Sequence, residues 1–158
     1  MAQDKALRDQ LVKLIRGGQA FQPIEVLTKG LTVEVTGKSV PELPYTIWQL
    51  LDHMRFTLED IVDFVRNPDY REPTWPDDYW PKEKAPADQA ALDKTIASIK
   101  ACMEDMIRLV QNPMNNLYDP IPHGSGQTLL REAMLVSEHN AYHLGEVVVL
   151  RRLLGDWA

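Results

Sequence analysis

The chain has 158 residues, 44% hydrophobic and 25% charged, with a formal net charge of −6. It is expected to fold as one soluble domain, residues 1–158, with a core large enough to hold without covalent staples. The acidic balance excludes the basic footprint that a phosphate backbone requires, so no nucleic acid is expected as a partner. The opening MAQDKALRDQ lacks the apolar stretch of a signal peptide, and Val147 to Leu150 is far too short a run to span a bilayer, which implies a cytoplasmic setting and no membrane partner.

In chain order, residues 4–16 place Leu7, Leu11, Leu14 and Ile15 at helical spacing before the stop signal Gly17-Gly18, which predicts a first long helix. A short helical piece is expected from Pro23 to Lys29, because proline is tolerated in a first turn. Leu31, Val33 and Val35 alternate as in a strand, but the rest of the chain offers them no partner strand, so residues 30–45 are expected to be a loop. Thr46-Ile47-Trp48-Gln49 fits a capping box. It opens a second long helix, 47–66, whose apolar face runs from Leu50 to Val65 and which Asn67-Pro68 stops.

The next stretch, NPDYREPTWPDDYWPKEKAP, carries five prolines between 68 and 86 together with two Trp and two Tyr. Prolines preclude a continuous helix, and so much aromatic area is costly to leave in water, so a loop pinned onto the helices is preferred over a substrate lid. It is expected to shape a pocket mouth. Residues 88–111 place Leu92, Ile96, Ile99, Met103, Met106 and Val110 at spacings of three and four, a packing seam that predicts the third long helix. Cys102 beside it is expected to be a buried small hydrophobe, and as the one cysteine it offers neither an internal disulfide nor a thiolate metal cluster. A loop containing DPIPHGSGQ leads to a fourth long helix, 128–154, ended by Gly155. The resulting expectation is an all-α antiparallel four-helix bundle, with long loops between helices one and two and between helices two and three.

The fourth helix contains HNAYHLGEVVVLRRLL. On it His139 and His143 sit about 40° apart, and Glu146 and Glu132 each fall within about 20° of His139. Two imidazoles one turn apart can reach a common ion without moving the backbone. In an antiparallel bundle His53, at mid-length of the second helix, is permitted to meet the pair about 10 Å along the bundle. Gln49 and Asp60 near it suit a wet cavity, and Gln49 is a candidate hydrogen-bond partner for a ligand. Spacing alone leaves open that these are buried core or interface histidines.

His123 belongs to a loop too far along the axis to join them and is expected to be a loop or capping residue. Glu146 is the candidate catalytic residue, as general base; the open roles for it and for Glu132 are base, orienting partner of a histidine, or ion pair with an arginine from another helix. Ser137, Ala141 and Gly145, four apart on the opposite side of the helix, are expected to pack closely on a neighbouring helix, within the chain or across a dimer.

The pieces WQLLDH (48–53), DYWP (78–81) and HGSGQTLLREAMLVSEHNAYHLGEVVVLRRLLG (123–155) resemble the DinB-like superfamily of four-helix bundles. The resemblance implies a divalent metal ion held by His53, His139 and His143; imidazole ligands suit zinc, nickel or iron. It further implies a homodimer and a small-molecule substrate, since some members are transferases or isomerases that use a low-molecular-weight thiol. Three neutral imidazoles leave an open position on the ion, at which a water or a thiol could be deprotonated. The expected function is that of a divalent-metal-dependent enzyme, a thiol-dependent S-transferase or a hydrolase. The alternative is a non-catalytic, metal-braced bundle that binds a ligand or a partner.

Overall fold

Side-chain oxygens start three of the four long helices. Thr46 accepts from the Gln49 backbone N–H, Asp88 from Ala91 and Thr128 from Arg131, each covering a donor that the first turn leaves without a partner. In the computed structural model, which describes residues 2–157, six helices follow one another. They are α1 (Ala2–Arg16), α2 (Ile24–Leu27), α3 (Val33–Thr36), α4 (Ile47–Arg66), α5 (Gln89–Gln111) and α6 (Leu129–Leu153). Among the described residues there is no strand, and no helix is long and apolar enough to cross a membrane.

The four long helices touch in a closed ring, α1 on α5, α5 on α4, α4 on α6 and α6 on α1. Inside it lie the seams foreseen from periodicity, with Leu50, Leu51, Met54 and Leu58 of α4 against Leu92, Ile99, Met106 and Val110 of α5, all fully buried. Cys102 is partly buried at the edge of this core, where burial pushes its thiol up to about 11, so it stays protonated and inert.

Two arginines close the ends. Arg8 of α1 is buried and donates to the carbonyls of Val110 and Asn112, which the end of α5 leaves without helical partners, and to that of Asn115 in the following turn. Arg151 of α6 is equally buried and donates to the carbonyls of Leu27 and Lys29, which ties α2 to α6.

Two expectations are corrected. Residues 33–36 form the helical turn α3 rather than loop: with no ladder to join, the Val35 N–H is taken by Thr32 Oγ1, and the Thr36 hydroxyl turns back to the Thr32 carbonyl at 2.9 Å. The small-residue ridge of α6 does not pack within the chain. Ala141 and Gly145 are exposed, a Cβ at Gly145 would meet nothing within 4 Å, and the Ser137 hydroxyl bonds its own helix at Ala133.

Candidate metal centre

The α4 capping box orients His53 inward, where it is 3% exposed, and α6 brings His139 and His143 to meet it. The ligand-capable nitrogens of the three rings all lie within 4.8 Å of one another. Two of the rings are held in a defined tautomer. His53 Nδ1 lies 2.9 Å from the Tyr79 carbonyl, which can only accept, so the proton sits on Nδ1 and the Nε2 lone pair faces the centre. His143 Nδ1 donates to Glu146 Oε2 at 2.7 Å, which likewise leaves Nε2 free. His139 Nε2 approaches His53 Nε2 at 3.1 Å, and its buried Nδ1 has no partner.

The surroundings favour uncharged rings. Burial holds His53 below its ordinary range, and burial followed by the charges of His143 and His53 pushes His139 down to about 3. An unprotonated imidazole is the form that binds a cation. Three converging ring nitrogens, two of them already oriented by a carbonyl and a carboxylate, are a donor set that fits a divalent ion. With Glu146 occupied as an orienting group, such an ion would keep its full charge and an open position.

The proline-rich loop supplies the remaining parts. The Trp80 indole stacks on the His53 ring, centroids 3.9 Å apart and planes 4° from parallel. Tyr45 stacks on Trp80 in turn and donates its hydroxyl to Glu146 Oε1 at 2.5 Å; that bond first, then burial, pushes the phenol up to about 12. The histidines thus floor a cavity of about 370 Å³, walled by Trp75, Trp80 and Tyr142.

The loop is pinned as expected: Tyr70 and Tyr79 both donate to the Asp60 carboxylate, Thr46 Oγ1 to the Lys84 carbonyl and Gln49 Nε2 to the Pro81 carbonyl. Gln49 therefore bonds no histidine. Its amide oxygen closes the capping box and its nitrogen fastens the loop that presents Trp80. Glu132 is also away from the centre. It shares an angular sector with His139 but lies seven residues back, about 10 Å along the axis, where Arg131 Nη1 contacts both of its oxygens. His123 is the loop residue expected, its Nε2 2.6 Å from the Phe64 carbonyl.

Sequence reasoning missed Tyr45, Trp80 and the Tyr79 carbonyl. Tyr45 carries the one usable signal, since it immediately precedes the N-cap, where an apolar or aromatic residue commonly packs back onto the structure.

The fold and centre define a helical protein with an interhelical three-histidine site. A family model for the DinB superfamily matches residues 19–147, and the chain belongs to that superfamily. Neither a curated protein nor a solved structure matches it.

Proposed function

We propose that the chain is an antiparallel four-helix bundle that binds one zinc, nickel or iron ion through His53, His139 and His143 and transfers a low-molecular-weight thiol to a small electrophile. One observation favours S-transfer over hydrolysis. Glu146 is the one carboxylate among the described residues lining the cavity, and both its oxygens are engaged, by His143 and by Tyr45. A hydrolase using it as general base toward water would have to release Tyr45, so hydrolysis would rest on the ion alone to activate the water. A bound divalent ion would lower a thiol's pKa enough to hold it as thiolate at neutral pH. The thiol proton then goes to the buffer, and the sulfur forms a bond to carbon as the bond to the leaving group breaks.

In this reading Glu146 keeps His143 oriented, the Tyr79 carbonyl keeps His53 oriented, and Trp75 and Trp80 shield the reacting sulfur from water. The competing reading, an ion that merely braces α4 against α6, is supported by the same three rings spanning those helices. Family likeness supports a homodimer, which sedimentation would test.

Metal analysis of protein purified without a polyhistidine tag should find about one divalent ion per chain, and none in His139→Ala. Turnover on a panel of thiols and electrophiles that disappears with the metal supports the enzyme. Metal without turnover leaves the brace.

A further inference from the structure

Beside the histidine cavity lies a second, larger one of about 580 Å³, and the two share Thr57, Trp75 and Tyr79 as common walls. At the junction the Thr57 hydroxyl is buried with no hydrogen-bond partner, although it has both a proton to donate and lone pairs to accept with. The second cavity differs in chemistry from the first. Three carboxylates line it, Asp60, Glu72 and Glu132, against the single guanidinium of Arg131. Asp60 of α4 and Glu132 of α6 lie seven residues from His53 and His139 respectively, so each carboxylate stands about 10 Å along its helix from the histidine centre. They face one another closely enough for the charge of Asp60 to raise the carboxyl of Glu132, on top of the larger effect of burial.

We propose that this cleft is the subsite for the far end of the substrate, and that it takes an amine-bearing tail whose reactive head lies at the histidines. The proposal rests on the thiol reading of the centre above. An excess of two negative charges in a partly enclosed, polar cleft attracts an ammonium group and repels a carboxylate or phosphate. The Tyr70 and Tyr79 hydroxyls already saturate part of Asp60 and hold it in place, so the carboxylate is oriented before a ligand arrives. Thr57 supplies the polar contact between head and tail.

The test uses the protein loaded with cobalt(II), whose thiolate charge-transfer absorption reports thiol binding without turnover. Three probes differ at the tail alone: ω-aminooctanethiol, ω-hydroxyoctanethiol and ω-mercaptooctanoate. The amine should bind about tenfold more tightly than the alcohol, and the carboxylate most weakly. In Glu132→Gln, which leaves Arg131 uncompensated, the amine preference should shrink and the carboxylate should gain. Glu72→Gln, at an exposed position, should shrink it too without endangering the fold. Equal binding of the three tails, or a preference untouched by both substitutions, overturns the subsite.

Absence of the band with every probe overturns the thiol reading instead. The cleft is then read from the Gly124 and Ser125 amide resonances, which line it, on adding octylamine or octanol. Shifts with the amine alone keep the subsite, and none, or equal shifts with both, overturn it.

Discussion

The two sides of α6 differ both in the residues they carry and in what lies over them. One side presents His139, His143 and Glu146 to α4 and to the proline-rich loop, while the other presents Met134, Ala141, Gly145 and Val149 to solvent. Apolar character does not bury the open side, because Met134 and Val149 are each more than half exposed. The difference in exposure lies in what covers each side. The loop between α4 and α5 lays Tyr79 and Trp80 over the histidine side, where burial lowers the proton affinity of His53 and the Tyr79 carbonyl orients its ring while pulling the proton affinity the other way. A helix face acquires chemistry here from the coil packed on it.

Breaking the covered side at its centre should have the largest effect. His53→Ala or His139→Ala removes one of three ligands, and bound metal should fall from about one equivalent to none after dialysis. Retention of a full equivalent in either variant would move the metal elsewhere. Next in size is Glu146→Gln, which keeps the shape but weakens the bond to His143; metal affinity should drop by about ten- to a hundredfold in a competitive chelator titration. Tyr45→Phe should fall short of that, because it loosens Glu146 without touching a ring. An effect of Tyr45→Phe as large as that of Glu146→Gln would make the tyrosine a direct participant.

The comparison also has a pH signature in the metal-free protein. His53 and His139 are held below the ordinary histidine value, so the unfolded chain takes up protons before the native one does. Their contribution to stability is present above about pH 6.5 and is lost as pH falls toward the folded value, about 3 for His139. Glu132 has the opposite sign. Burial raises its carboxyl, so its contribution is present below the ordinary carboxylate value and lost as pH rises through the raised one. Denaturation between pH 7 and 4 should show native stability falling on acidification, and His139→Gln should flatten that slope. A slope unchanged in the variant would mean that the ring is solvated and titrates normally.

Much of this centre was legible because helices have a period. The capping box at Thr46 set the start of α4, and the four-residue spacing put His139 and His143 on one face; that permitted a shared ion, and the family resemblance supplied the assignment of all three rings to it. Of the roles open to Glu132 the structure shows the ion pair, with its own neighbour Arg131 rather than an arginine of another helix, because an angle on a helical wheel says nothing of distance along the axis. Gln49 could have been judged correctly, since a residue that closes a capping box has already committed its amide oxygen. DYWP at 78–81 carried part of the family resemblance, but the contacts of Tyr79 and Trp80 with His53 were beyond the reach of periodicity. Both residues sit in coil broken by prolines, where neither the helical nor the strand period relates a residue to a direction.

The smallest effect belongs to the open side. Gly145 sits inside α6 with empty space where a side chain would go, so Gly145→Ala adds helix propensity and collides with nothing. For a monomer the substitution should raise stability by about 0.5 to 1 kcal/mol, seen as a small upward shift in Tm. The size of the side chain then separates two states of the same surface. If a second copy packs against Ala141 and Gly145, Gly145→Leu should dissociate it in sedimentation at concentrations where the parent stays paired. If this side stays in water, Gly145→Leu should leave both mass and Tm close to those of Gly145→Ala. Metal content should stay at the parent level in both variants, because the ridge points away from the rings, and a loss of metal there would show that the two sides of α6 are coupled through the helix.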